Sequence, residues 1–287
     1  MPDHAISLPE ITICAADSVQ PALAGRALAA SLARCDFGDA ILFTDSQVQG
    51  PFRTQRIDRL ASRADYSRFI LKELAGRIAT PFALVVQWDG YVVDPAAWLP
   101  EFLQYDYIGA KWPWHADGFT VGNGGFSLRS RRLLEAGADP RVMLDSGLGE
   151  DKILCRLYRR PLEAECGVRF APEPVADRFS YERATPSAPT FGFHGLFNLW
   201  RHVGDPELVD LARAVHAGVL RTEEYGELLA HCFAQGRLDP AVALYARLRA
   251  TLSPAQVEAY LASAIQGIEF IAQCVRECEA RYAASPA

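Results

Sequence analysis

Three aspartates stand where short apolar runs end. Asp17 follows residues 10–16 (EITICAA), Asp45 follows 40–44 (AILFT), and Asp89 lies just past 82–87 (FALVVQ). Carboxylates that converge on one crevice repel each other unless a cation or ligand hydroxyls offset the charge. At the Gln87-Trp88-Asp89-Gly90 turn a carboxylate can hold Mg²⁺ or Mn²⁺, ions that suit carboxylate, water and phosphate ligands. Such an ion would neutralise the charge on a departing diphosphate. The same turn also fits a plain β-turn, with Asp89 bonded to backbone and Gly90 supplying positive φ. Further on, Glu150-Asp151 opens a helical stretch, where acids also suit the helix N-terminus. His194 stands alone among Phe191, Phe193 and Phe197, a setting that equally suits a hydrogen-bonded core histidine.

The surrounding pattern supplies the elements that must position these groups. Residues 10–16 and 40–44 read as buried strands joined by a helix from Pro21 to Cys35, with Leu23, Ala27, Leu28 and Leu32 on one face. Strand, helix, strand at this spacing is a βαβ unit and implies a parallel sheet. A helix is expected over 65–78, with Asp65 as its cap, followed by a strand over 82–87. Residues 91–93 can resume a strand, Tyr105 to Ala110 and Phe126 to Leu128 form others, and helices follow over 130–137 and 150–159. Residues 111–125 read as a loop and 160–189 as irregular. In an open parallel sheet, ligands bind beyond the carboxyl ends of the strands, where the aspartates lie.

After Asp205-Pro206 the pattern becomes purely helical, with cap-then-proline starts at Pro206, Pro240 and Pro254. Four helices are expected, over 206–217, 222–235, 240–251 and 254–282. Residues 228–248 resemble one tetratricopeptide hairpin turning at Gly236, and an ordinary helical appendage fits them equally well. The 287 residues thus divide into an α/β domain, 1–204, and an α-helical region, 205–287.

Composition narrows the function classes. A net charge of −6 argues against a nucleic-acid footprint. Seven scattered cysteines without a CxxC pair point to reduced thiols in a cytoplasm. No apolar run is long enough to span a membrane, and residues 1–7 lack the features of a secretory signal. GxGxxG, GxxxxGK[ST] and GxSxG are all missing, which removes the dinucleotide fingerprint, the P-loop and the α/β-hydrolase elbow.

In order along the chain come Asp17, FTD (43–45), YSRFILKEL (66–74), VVQWDGYVV (85–93), YDYIGAKWPW (105–114), VGNGGFSLRSRRLL (121–134) and FGFHGLFN (191–198). This ordered set resembles the GT-A fold of nucleotide-sugar glycosyltransferases, and more closely a glycosyltransferase-like domain family of bacteria and fungi. The resemblance covers roughly residues 8–202 and leaves the helical tail outside. It implies a GT-A-like, mostly parallel sheet flanked by helices.

Carried over residue by residue, the resemblance assigns the following roles. Asp89 matches the last Asp of the DxD metal motif, and Gln87 replaces the first. Ala15, Ala16 and Asp17 would line the nucleoside, with Asp45, Tyr66 and Trp88 in the same donor region. Arg68 and Lys72, one helical turn apart, would meet the phosphates. Asn123, Gly124 and Gly125 would bring backbone close to a sugar, and Trp112, Trp114 and His115 would offer ring faces to it. Glu150-Asp151 resembles the element that supplies a general base, with Asp151 as base and Glu150 binding acceptor, or the two exchanged. His194 would complete the metal shell.

The implied activity is transfer of a sugar from a nucleoside diphosphate sugar to a hydroxyl of a glycan or lipid-linked saccharide, with inversion and Mn²⁺ or Mg²⁺. The setting is cytoplasmic or peripheral at the inner membrane face, and the C-terminal helices offer a surface for a protein partner or self-association. Two rivals stand beside it: a sugar nucleotidyltransferase, whose glycine-rich N-terminal signature is missing, and a non-catalytic sugar-binding or scaffold protein.

Overall fold

The computed structural model describes residues 6–265 and 268–284. The chain separates into two compact units, Met1–His194 and Gly195–Ala287.

The first unit is an α/β fold on a six-stranded sheet. Its elements are β1 (Ile6–Ala16), α1 (Pro21–Leu32), β2 (Cys35–Thr44), β3 (Arg53–Arg56), α2 (Arg63–Arg68), β4 (Phe82–Val86), β5 (Tyr107–Ile108) and β6 (Phe126–Ser130). After them come α3 (Arg131–Ala138), α4 (Glu150–Lys152), α5 (Arg159–Cys166), α6 (Glu173–Phe179) and a small pair, β7 (Ser180–Tyr181) with β8 (Gly192–Phe193). The strand order is β3-β2-β1-β4-β6-β5. β1 pairs in parallel with β2 and β4, as β2 does with β3, while β6 runs antiparallel to β4 and β5. The mostly parallel sheet expected from the βαβ pattern is present.

Side-chain alternation divides the core into two layers, one on each face. Ile11, Ile13 and Ala15 of β1 join Leu84, Val86, Phe126 and Leu128 against Ala24 and Leu28 of α1. Cys14 and Ala16 point the other way, with Ile41, Phe43, Ala83 and Val85, against Phe69, Ile70 and Leu74. A sheet buried on both faces is what apolar runs such as 82–86 require.

Several local details differ from expectation. The helix expected over 65–78 begins with Ser62, whose hydroxyl accepts from the Asp65 amide, so Asp65 is not the cap. It tightens and loosens along its length, with a π-helical turn at Phe69–Glu73 and a 3₁₀ turn at Leu74–Arg77. Residues 91–93 make no strand beyond a single bridge from Val92 to Gly192. The stretch 160–189 contains α5 and α6: Gly167 ends α5 at φ 65°, and Phe179 of α6 is buried in the core. β3 was not foreseen, because Arg-Thr-Gln-Arg on an edge strand has no apolar alternation to read.

The second unit is helical: α7 (Asp205–Ala214), α8 (Glu223–Ala234), α9 (Leu238–Arg249), α10 (Pro254–Ala264) and α11 (Ile268–Ala284). α8 and α9 pack together around Gly236 at φ 69°, and the Tyr225 hydroxyl donates to the Leu244 carbonyl at 2.9 Å. The single helix expected over 254–282 stops at Ile265, which is extended; residues 266–267 of that span lie outside the described residues. All seven cysteines carry free thiols. No helix among the described residues is long and apolar enough to cross a membrane.

Candidate active site

The parallel arrangement brings the ends of β1 and β4 to one edge. Between them lies a cleft of about 340 Å³ walled by Ala16, Asp17, Arg63, Tyr66, Gln87 and Trp88. Asp17 shapes one wall, because its Oδ1 accepts from the amides of Val19 and Gln20, both at 2.7 Å. Burial pushes the Asp17 carboxyl above its ordinary range; the Gln20 and Val19 amides oppose this, and the neighbouring Asp89 charge adds to it. Tyr66 reaches the cleft from α2, and burial, helped by the Glu150 charge, raises its hydroxyl pKa.

His194 links Gln87 and Asp89 to the rest of the site. Its Nε2 lies 3.3 Å from Asp89 Oδ1 and 3.2 Å from Gln87 Oε1, and its Nδ1 lies 3.0 Å from Glu182 Oε1. Burial works against the charged ring, but the Asp89 and Glu182 carboxylates outweigh it and hold the His194 pKa well above its ordinary value. Asn123 Nδ2 approaches the same Nδ1 at 3.1 Å.

The Gly122–Gly125 turn is glycine-rich because protein atoms crowd it. A Cβ on Gly122 would fall on the Trp112 ring, one on Gly124 on the Glu150 carboxylate, and one on Gly125 on the His194 ring. Asn123 takes a left-handed φ of 62° and is buried, and its carbonyl accepts from the Tyr107 hydroxyl at 3.0 Å. Below the turn, Arg129 of β6 is fully buried. It bonds Glu150 Oε1 at 2.6 Å and Ser127 Oγ at 3.0 Å, and its guanidinium lies over the Tyr107 ring. Burial disfavours the Arg129 cation, and Glu150, with Tyr107 and Tyr66, outweighs it and raises the pKa.

Asp151 is the adjacent acid, with a different environment. Its Oδ2 accepts from the Gly124 amide at 3.2 Å and its Oδ1 from the Lys152 amide at 2.7 Å. Burial and the Glu150 charge push its pKa up to about 6, against the pull of those amides and Arg129. One acid is locked in an ion pair, and the other is poised near neutrality.

A family model described as "Protein of unknown function (DUF5672)" matches residues 51–194, half of the chain. This chain belongs to the DUF5672 family. The DUF5672 stretch contains Tyr66, Gln87 to Gly90, the glycine turn, Arg129, Glu150-Asp151 and Glu182, and it ends on His194. It begins after β1 and Asp17. No curated protein matches the chain. Among solved structures, a glycosyltransferase involved in the glycosylation of the major capsid of PBCV-1 aligns with 64% of this chain and 91% of its own, at 14% identity and a TM-score of 0.42.

The site of this DUF5672 protein unites some of the residues singled out from sequence and disperses others. Ala16 walls the cleft, whereas Ala15 points into the opposite core layer. Asp45 leaves the group, 3.6 Å from Arg59. Arg68 pairs with Asp65 and Glu73 on the surface. Lys72 is spent on the fold: its ammonium donates to the carbonyls of Gly137, Asp139 and Val142 at 2.6–3.0 Å. Replacing Lys72 with Met is expected to lower unfolding stability by about 2–3 kcal/mol in urea titrations, without changing nucleotide affinity. Trp112 is buried beneath Gly122, so only Trp114, 57% exposed, presents a ring face, with His115 beside it. Gly90 is needed for close approach rather than positive φ, since a Cβ there would press on the Phe193 carbonyl.

Asp89 and His194 bond to each other, and the Nε2 that a metal would need faces Asp89 and Gln87. Among the described residues, no group of three His, Cys, Asp or Glu side chains is arranged to hold a metal ion. Sequence reasoning missed Arg63, Arg129 and Glu182. The arginine within SLRS was visible as the one charge inside a short strand; Glu182 carried no local signal.

Proposed function

We propose that the Met1–His194 unit is a glycosyltransferase that moves a sugar from a nucleoside diphosphate sugar to an acceptor hydroxyl, with inversion. The observation that supports this most is Asp151. It is a carboxylate fixed by two backbone amides, with its pKa pushed up to about 6, set apart from an acid that an arginine has neutralised. A general base works best when its pKa lies near the operating pH.

In this reading the nucleoside occupies the cleft, with Asp17 accepting from ribose hydroxyls and Arg63 facing the diphosphate. The acceptor lies towards Trp114, whose ring can cover the apolar face of a sugar. Asp151 takes the hydroxyl proton as the oxygen attacks the anomeric carbon; the bond to the diphosphate breaks on the opposite face, and the diphosphate leaves with the electron pair. His194, held between Asp89 and Glu182, keeps the Gln87 turn against the glycine turn. Mn²⁺ or Mg²⁺, if bound, would be held by Asp89 with Gln87 and His194 beside it, and would offset charge on the diphosphate.

The test is thermal shift with a panel of nucleoside diphosphate sugars, on the wild type and on Asp17→Ala. One donor is expected to raise Tm, with affinity at least tenfold weaker in Asp17→Ala. If no nucleotide stabilises the wild type, the donor reading fails.

A further inference from the structure

At the other end of the same strands lies a second hollow. β4 starts at Phe82 and ends at Val86; Phe82 pairs with Ser130, the last residue of β6, and Val86 with Phe126, its first. Four residue steps put the two ends about 13 Å apart. The cleft adjoins the Val86 end. At the Phe82 end is a cavity of about 620 Å³ whose polar wall includes Tyr105, Asp106, Ser130, Arg131, Arg132 and Arg169.

Three arginines and one carboxylate line it, in a chain of net charge −6. That carboxylate is already engaged: Asp106 accepts from Ser130 Oγ at 2.5 Å and from the Arg169 amide at 2.8 Å, and lies 3.7 Å from Arg132. Arg131 donates to the carbonyls of Ala75, Ile78 and Thr80, which fixes it, and lies 3.9 Å from the Glu135 carboxylate. Arg132 gives one bond to the Gly167 carbonyl at 3.1 Å. The Arg169 guanidinium lies 5.5 Å above the Tyr105 ring and has no carboxylate partner among the described residues. Cationic side chains on one wall favour an anion between them, and the guanidinium fork matches phosphate oxygens two at a time. The volume lies in the range of small-molecule sites rather than of a bare ion.

We propose that this hollow is a ligand site, separate from the cleft, for a phosphorylated small molecule of sugar-phosphate size. Arg132 and Arg169 grip the phosphate, with Arg169 seated on the Tyr105 ring. The site does not depend on the glycosyltransferase reading.

Calorimetric titration with a hexose 1-phosphate and, separately, inorganic phosphate tests it. The hexose phosphate is expected to bind at least several-fold more tightly than phosphate alone. Arg132→Ala/Arg169→Ala should weaken it at least tenfold and leave nucleoside diphosphate binding unchanged; Arg131 stays intact because it ties three carbonyls. If the double variant does not fold, Arg169→Gln alone is expected to weaken binding at least threefold. Equal titrations in wild type and a folded variant overturn the proposal. So does an absence of heat from both probes, or loss of hexose phosphate binding in Asp17→Ala, which would place the ligand in the cleft.

Discussion

Asp151→Asn is expected to lower the transfer rate constant by about 10²–10⁴-fold, the range a positioned general base supplies, while donor affinity stays within a factor of two. The amide keeps the shape, but its single oxygen can accept from only one of the Gly124 and Lys152 amides, so one backbone bond is lost together with proton acceptance. Stability and activity should respond to pH in opposite senses. The Asp151 pKa is raised in the fold to about 6, so its stabilising contribution is full at acid pH and is lost as pH rises through that value. Catalysis needs the deprotonated form, so wild-type kcat should climb through about pH 6 and then level. The variant should lose that acid limb, and its melting temperature should lose the Asp151 contribution to the pH dependence around 6. A variant that keeps both the rate and the limb would remove Asp151 from the chemistry.

The second large effect concerns stability. Glu150→Ala leaves the Arg129 guanidinium buried without its counter-charge and is expected to cost about 3–5 kcal/mol in denaturant unfolding. Removing both charges, as in Arg129→Met/Glu150→Leu, should cost clearly less than the sum of the single changes, since desolvation of two ions is avoided together. Simple additivity would show that the two side chains do not act as a pair. The consequence for function is specific: a Glu150 so engaged supports the Gly124 turn and Asp151, and is not offered to an acceptor. In Asp151→Asn the fold should survive and the chemistry fail; in Glu150→Ala the fold itself is weakened.

These expectations rest unequally on sequence. The helix of Leu23, Ala27, Leu28 and Leu32 was legible, as were the strands leading to Asp17 and Gln87, because side-chain period and burial are properties of a few neighbouring residues. Once the strands run parallel, their polar ends share an edge, so Asp17 and Gln87 could be placed together. Choosing between adjacent residues was harder. Ala15 and Ala16 are chemically identical, and only the pleat decides which one faces the cleft. Glu150 and Asp151 read alike as helix-start acids, and Arg129, twenty-one residues earlier, makes one of them structural.

Tertiary structure alone decided what the charged groups do. Lys72 and Arg68 looked like a phosphate pair at helical spacing, but carbonyls 65–70 residues away capture the lysine. Glu182 meets His194 because β7 and β8 pair, and nothing around Glu182 in sequence announces it. The glycines of the 122–125 turn announced a tight approach, yet which atoms approach was open until Trp112, Glu150 and His194 filled the space. What the sequence by itself determined is the α/β scaffold and the edge where polar groups collect, since local periodicity encodes both. Which of those groups are neutralised by partners and which stay poised for chemistry depends on contacts between distant residues. Electrostatics and hydrogen bonding act over a few ångströms in space, whatever the separation along the chain.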